Sequence, residues 1–387
     1  MTAVPLVCPI GQGSALYYPA TDRLLVLNTT GTMVWEMLNE GYGRDEIALM
    51  FAGQFRLSHE QALHDVSEVF AELNDPSLQG VNNCQQIVNS LIGSGSIGSP
   101  ANEEGNFEDC GVYGFGQDQV RIISSVGEVD CSFFSRFRHR ASSNVCGADS
   151  LEVFKSRCGG YRLKFREILI EETTVDRMMS RLTQVLLSLE HPNTTFLAYC
   201  HAAAVTRGSQ SVLMPGSSGV GKSTLTAFLV AQGFVYLGDD IIAIGEVGDA
   251  LLPLPTCLSV KSGSWLTLQK FFPILPQLPT LSRYGRLIRY VEPQNNYEVR
   301  AVGPAPCAVV FPAYSVGQPT RLTPLTPIQT MIRLLGAHVA FLAPATREKL
   351  EKFIRFVEQT PAYELTYSEL PSAMGAIEDL LAAQPQQ

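Results

Sequence analysis

The chain is short of positive charge. Its 387 residues include 28 Lys and Arg against 37 Asp and Glu, a formal net charge of −9. Phosphate backbones are bound by basic faces, so nucleic acid is excluded as an expected partner. The deficit is concentrated: residues 1–80 contain no lysine, three arginines and ten carboxylates, and carry −7 of the total. A partner docking there is expected to be neutral or basic at its contact surface. No run of 18 apolar residues occurs, and no basic segment followed by an apolar one opens the chain. The signs of a membrane span and of a secretion signal are therefore missing; no membrane partner and a cytoplasmic location are expected. Nine cysteines are dispersed, odd in number and without a C-x-x-C pair. They suit small buried hydrophobes in a reducing compartment better than a disulfide framework.

What is there is ordinary for a globular protein: 45% apolar and 17% charged residues, over a length sufficient for two or three cores. No internal repeat is visible. Residues 216–224 read Gly-Ser-Ser-Gly-Val-Gly-Lys-Ser-Thr after the apolar stretch Ser211–Pro215. This is G-x-x-x-x-G-K-[ST] between an expected strand and an expected helix, the context a phosphate loop requires. Glycines at 216, 219 and 221 let backbone N–H groups turn inward around a triphosphate, where side chains would clash. The nucleotide-binding set is thus Gly216, Ser217, Ser218, Gly219, Val220, Gly221, Lys222, Ser223 and Thr224. Lys222 would reach the β- and γ-phosphates of ATP, and Ser223 would hold Mg²⁺. Leu225, Phe228 and Leu229 continue as the inner face of a helix whose positive end meets the phosphates.

Upstream, Ala15–Tyr18 and Leu24–Leu27 read as two strands around a polar turn. Three helices follow. One starts after Thr30 with Val34, Trp35 and Leu38 inward; the next starts at about Arg44 with Ile47, Met50, Phe51 and Phe55; the third opens on the capping box Ser58-His59-Glu60-Gln61. This is a small winged-helix-like α+β unit. Gly93–Pro100 has the composition of a flexible linker. The expected division is therefore residues 1–80, a linker over 81–110, and an α/β domain over 111–387. Within the last, Val175–Leu189 is helical by its apolar stripe, as are Ile328–Leu335 and Thr346–Gln359. Phe234–Gly238 reads as an apolar strand closed by Asp239-Asp240, the usual companion of a phosphate loop. Prolines 253, 255, 273, 276 and 279 predict irregular structure around Lys261–Trp265.

Three features line up as a site: His201, the phosphate loop and the Asp239-Asp240 pair. Phosphoryl transfer needs the γ-phosphate clamped, its charge neutralised by metal and the acceptor's proton removed. Lys222 and the loop amides suit the first task, Ser223 with one carboxylate the second, and the other carboxylate the third. Two adjacent carboxylates at a strand end are costly without a cation. Lys261, Arg286 and Arg289 suit phosphate or carboxylate binding, and suit a solvated surface nearly as well.

Across roughly residues 111–345 the chain resembles the HPr kinase/phosphorylase superfamily, in particular its relatives in peptide-modification gene clusters. The resemblance is carried by His201–Val205, Gly216–Ser223, Gly233 through Asp240, and Lys261–Trp265. It implies a P-loop fold and active-site roles for His201, Lys222 and the Asp pair. Asp239 is then the candidate general base and Asp240 the candidate metal ligand, an order that can be reversed. Thr224 stands where that family has Glu, Ala202 where it has Gly, and the C-terminal signature linked to HPr recognition is missing; a substrate other than HPr is expected. Residues 15–75 resemble the PqqD-like peptide-recognition element, through Leu27-Asn28, Thr30-Gly31, Val34-Trp35, Leu38, Glu46-Ile47 and Asp65-Val66. That resemblance implies a precursor peptide whose leader adds as a strand beside Leu24, Leu25, Val26 and Leu27 and against the helix Ser58–Leu73. The linker would hold the tethered substrate near the phosphate loop.

The function expected is a Mg²⁺- and ATP-dependent phosphotransferase acting on a Ser or Thr of a precursor peptide, among other enzymes of a peptide-modification cluster. The alternatives are a kinase for a small-molecule or carrier-bound hydroxyl, and a nucleotide-dependent peptide-binding adaptor without transferase activity.

Overall fold

The computed structural model describes residues 5–19, 23–73, 107–129, 131–143, 147–156, 159–217, 219–283, 285–293, 298–341 and 346–383. The linker expected over 81–110 falls outside these up to residue 106, and its end is already strand, Glu108–Phe115. The protein is a mixed α/β molecule with a small N-terminal unit and a larger, sheet-rich C-terminal one.

The N-terminal sheet has three strands rather than two: β1 (Leu6–Ile10), β2 (Gly13–Tyr18) and β3 (Arg23–Leu27), antiparallel in that order. β1 escapes a sequence reading because Pro9 interrupts it, and proline is tolerated in a strand only at an edge, where β1 lies. Gly13 is needed for closeness: a Cβ there would stand 2.0 Å from the Leu27 carbonyl oxygen. Helices α1 (Thr29–Asn39), α2 (Arg44–Phe55) and α3 (His59–Leu73) follow. Asn28 caps α1 by accepting from the Gly31 amide at 2.8 Å, and Ser58 accepts from the Gln61 amide at 3.1 Å ahead of α3. Their core is Val34, Ile47, Ala48, Phe51, Ala62 and Val66. Met50 and Phe55, expected inward, are more than a third exposed, because α2 is apolar around its whole circumference and only one face is covered.

Strand alternation then divides the small sheet. Leu16, Tyr18, Leu25 and Leu27 face the helices with Trp35 and Leu73. Cys8, Ile10, Ala15 and Tyr17, with Leu24 and Val26, face the other way into the core of the C-terminal unit. There β3 lies against the helix Pro327–Gly336 and β1 against the helix Arg347–Gln359. The Gly11 amide donates to Glu358 at 3.0 Å, Arg347 donates to the Val7 carbonyl at 3.0 Å, and the Tyr17 and Phe341 rings meet edge-on at 5.5 Å. The N-terminal unit is therefore docked on its larger neighbour through a full sheet face.

The C-terminal unit holds two large sheets. A six-stranded one, Glu108 to Glu172, is backed by the helix Val175–Glu190, with Met178, Leu182, Leu186 and Leu187 buried. The central sheet of nine strands runs Leu251–Pro253, Ile241–Gly245, Phe196–Arg207, Gln210–Pro215, Pro306–Tyr314, Ala362–Tyr367 and Arg321–Pro324; Val235–Gly238 and Ala340–Phe341 pair with the two halves of the long Phe196–Arg207 strand. Gln210–Pro215, Pro306–Tyr314 and Ala362–Tyr367 are mutually parallel. The helix Lys222–Ala231 buries Leu225, Phe228 and Leu229 on one face, each worth about 1.5–3 kcal/mol. That face is completed by Leu370–Ala383, a helix unread in the sequence. The proline-rich stretch is largely irregular, as expected, with one-turn helices at Ser262–Ser264, Trp265–Leu268 and Leu275–Gln277; the strand Leu258–Lys261 joins Arg286–Val291 and Leu281–Arg283 in a three-stranded sheet.

Candidate active site

The chain leaves the strand Gln210–Pro215 at Gly216 and re-enters helix at Lys222. Gly219 and Gly221 take φ of +108° and +95°, which side-chain-bearing residues avoid. A Cβ on Gly221 would lie 2.4 Å from the Tyr367 hydroxyl oxygen and 2.9 Å from Tyr314 Cβ. The ends of the two parallel strands beyond grip this turn: the Tyr314 amide donates to the Val220 carbonyl at 3.1 Å, and the Tyr367 hydroxyl to the Gly221 carbonyl at 3.2 Å. The first helical bond runs from Leu225 to Gly221, so the amides of Lys222, Ser223 and Thr224 have no partner within the helix and form its positive end. Ser218 lies outside the described residues.

His201 sits mid-strand beside this end, its amide donating to the Ala337 carbonyl at 2.9 Å and its carbonyl accepting from Gly216 at 3.2 Å. Its Nδ1 is 2.9 Å from the Asp240 carbonyl oxygen, which can only accept. That assigns the ring proton to Nδ1 and leaves Nε2 to accept from Lys222 Nζ at 3.2 Å. Burial first, then the cations Lys222 and Lys261, His338 and Arg136, pushes the His201 pKa down to about 3, so the imidazole is neutral. Lys222 is itself buried, and burial lowers it to about 8 against the pull of Asp239. Asp239 is 3% exposed, and neither carboxylate oxygen makes a hydrogen bond. Burial raises its pKa, while Lys222 and then the nearby Ser223 hydroxyl favour its charged form.

Asp240 points elsewhere. One carboxylate oxygen pairs with Arg136, and the other lies 3.2 Å from His201 Nδ1. Arg136 arrives from the six-stranded unit on the turn Ser135–Arg140, donates to the Phe133 carbonyl at 3.1 Å and stacks 3.8 Å over the Phe133 ring. That turn is fastened on both sides. The Arg136 carbonyl accepts from Cys257 at 2.7 Å, Arg138 pairs with Glu292 at 2.7 Å, and His139 Nδ1 meets the Cys257 thiol at 3.2 Å. Burial pushes His139 down to about 4 and Cys257 up to about 12, so this contact is neutral.

These groups open into a cavity of about 420 Å³, lined by Arg136, His201, Ser223, Asp239, Asp240, Thr256, Cys257, Ser259, Lys261, Ile288, Tyr290 and His338. Of the residues expected from sequence, His201, Ser223, Asp239, Asp240 and Lys261 meet there, with Lys222 touching His201 from beneath. Thr224 turns away, its hydroxyl 2.5 Å from that of Ser264. Arg286 is exposed outside the cavity, its Nη1 3.9 Å from where a Cβ on Gly219 would stand. Arg289 does not reach the cavity: strand alternation sends Ile288 and Tyr290 in and Arg289 out, over Trp265 at 4.0 Å and onto the Leu275 carbonyl at 3.0 Å. Leu24–Leu27 line the N-terminal sheet, apart from this site. Arg136 was missed; the cationic, aromatic run Ser135-Arg136-Phe137-Arg138-His139-Arg140 was its visible signal. The chemistry on offer is a phosphate cradle, a buried carboxylate in the field of Lys222 and beside the Ser223 hydroxyl, and a neutral imidazole holding a lysine.

Comparisons with known proteins bear on the two units separately. Residues 13–78 match the family model described as coenzyme PQQ synthesis protein D (PqqD). The N-terminal unit is PqqD-like. No curated protein matches the chain. Among solved structures, the chain is similar to the Hpr(Ser) kinase/phosphatase from Coxiella burnetii, at 13% identity and a TM-score of 0.24, over 48% of this chain and 93% of that one. At that TM-score the likeness adds nothing to the geometry above. Among the described residues no helix is long and apolar enough to cross a membrane, and no group of three or more His, Cys, Asp or Glu side chains is gathered for a metal ion.

Proposed function

We propose that this chain is an ATP- and Mg²⁺-dependent kinase that phosphorylates a Ser or Thr hydroxyl of a ribosomally made precursor peptide, captured through its leader by the PqqD-like unit. The observation that carries the reading is the joining, at one cavity, of a phosphate loop and the orphaned buried carboxylate of Asp239. A buried carboxylate without hydrogen bonds is costly, and a cation relieves that cost. Ser223 and Asp239 would hold Mg²⁺ by oxygen, as that ion prefers, and the ion would offset charge on the phosphates.

The remaining roles follow from position. Lys222 and the amides of the helix start hold the phosphates, with Lys261 and Arg286 assigned to outer phosphate oxygens. Asp240, already paired with Arg136, is assigned to the acceptor hydroxyl, the reverse of the order first expected. The hydroxyl oxygen bonds to the γ-phosphorus as the bond to the β–γ bridging oxygen breaks; the proton passes to Asp240 and ADP leaves. His201 keeps Lys222 in place through Nε2 without titrating. The leader would add to the outer edge of β3, at Leu24–Leu27, with alternate side chains toward α3. Other enzymes of the same modification cluster are the further partners of this reading.

The test is intact-mass spectrometry of a candidate precursor peptide bearing Ser and Thr, after incubation with the protein, ATP and Mg²⁺. A gain of one phosphoryl mass, lost with Asp240→Asn and Lys222→Ala, is the expected result. A peptide that binds and stays unmodified sinks the peptide-kinase reading and leaves a kinase for a small-molecule or carrier-bound hydroxyl. It would also leave the adaptor, which Thr224 favours, since its hydroxyl is engaged by Ser264 and brings no carboxylate to the metal.

A further inference from the structure

Tyr314 is 52% exposed although it ends a central strand. It is not a loose surface ring. Its amide is bonded to the Val220 carbonyl, its ring meets the buried Tyr367 ring at 5.6 Å and 65°, and Gly221 packs against its Cβ. The next turn is pinned as well, by Ser315 donating to the Tyr367 carbonyl at 2.8 Å and Gly317 donating to the Ser368 hydroxyl at 3.1 Å. Two hydrophobic side chains, Tyr314 and Val316 (79% exposed), are thus presented to solvent on a fixed backbone at the rim of the phosphate loop.

The sheet order says what this rim faces. The strand leading into the loop has the His201 strand on one side and the Tyr314 strand on the other. The cavity with Ser223, Asp239 and Asp240 belongs to the first side. A triphosphate whose terminal phosphate lies in that cavity and whose chain passes over the loop amides delivers its sugar and base to the second side. In parallel sheets ligands lie outside the carboxyl ends of the strands, where Tyr314 stands. A flat aromatic face there can stack a base of any sequence.

We infer that Tyr314 is the stacking platform for the nucleobase of the nucleotide whose phosphates Lys222 holds. The inference rests on the nucleotide reading of that loop and extends it to a subsite. Binding of ATP, GTP and inorganic tripolyphosphate, each with Mg²⁺, is measured by calorimetry on the full chain, wild type, Tyr314→Ala and Tyr314→Phe. Tyr314→Ala should bind ATP about 5- to 150-fold more weakly, with tripolyphosphate affinity unchanged and Tyr314→Phe close to wild type. GTP losing affinity in parallel with ATP marks stacking as the shared contact. ATP affinity unchanged in Tyr314→Ala overturns the platform. So does an equal loss for ATP and tripolyphosphate, which would make Tyr314 only a brace for the loop; thermal unfolding of the three proteins checks that brace directly. Wild type binding neither ATP nor tripolyphosphate would overturn the nucleotide reading itself.

Discussion

Lys222 gives the sharpest quantitative test, because the group meant to meet a polyanion is held by burial at about pH 8. In the free protein it is about 90% charged at pH 7, about half at pH 8 and about 10% at pH 9. A bound triphosphate restores the ammonium, since an adjacent anion favours the charged form. Binding must then draw protons from solution: roughly 0.1 at pH 7, 0.5 at pH 8 and 0.9 at pH 9 per nucleotide. The sign is fixed, because a lysine whose pKa is depressed in the free state and raised in the complex takes up protons above its lower pKa. Affinity should fall about tenfold per pH unit above 8 for the same reason. Calorimetry at pH 9 in buffers of different ionisation enthalpy reads the uptake. Lys222→Arg keeps the charge but cannot titrate, and should bind with none of it. If wild type and Lys222→Arg take up equal numbers of protons at pH 9, the burial argument for Lys222 is refuted.

Other expectations follow from the same geometry. His201, held near 3 in the fold against 6.5 unfolded, makes the unfolded chain the stronger proton binder as pH falls below 6.5; stability should drop by roughly 1.5 kcal/mol more between pH 6.5 and 5 in wild type than in His201→Gln, measured by urea unfolding. Arg136→Met leaves Asp240 without its cation and should cost about 3 kcal/mol, while Arg136→Met with Asp240→Asn should cost less than the two singles together; simple additivity in the unfolding cycle would count against the pair. Gly221→Ala meets both a positive φ and the Tyr367 hydroxyl, so a loss of about 1–3 kcal/mol in stability together with weakened tripolyphosphate binding is expected, and a neutral effect on both would contradict the described turn.

Several parts of the molecule could be read without its fold because they are local. Gly216 to Ser223 is a contiguous turn whose glycines are demanded by backbone angles, and two of those angles are indeed left-handed. The three N-terminal helices announce themselves through 3.6-residue periodicity and, for the third, the cap at Ser58; the Asn28 cap that starts the first helix at Thr29 came from the structure. β1 did not, since Pro9 disguises an edge strand, and Leu370–Ala383 carried no cap that drew notice.

The residues of the cavity divide the same way. Ser223, Asp239 and Asp240 were legible from the phosphate loop and its companion strand, while His201 and Lys261 stood out chiefly through the resemblance to the HPr kinase/phosphorylase superfamily. Arg136 lies more than a hundred residues from Asp240 along the chain, and only the packing of the six-stranded unit against the central sheet brings a guanidinium onto that carboxylate. The difference between Arg289 and Lys261 is a matter of strand pleat: neighbouring side chains on a strand leave opposite faces, and composition does not say which face is covered. The docking of the small sheet was hidden too, because Leu24 and Val26 alternate with Leu25 and Leu27 as two equally apolar faces. Local backbone chemistry thus determined the phosphate loop and its helices from sequence alone. The tertiary structure alone decided which carboxylate pairs with an arginine, which arginine reaches the site and what covers the second face of the N-terminal sheet, because those depend on surfaces brought together from distant parts of the chain.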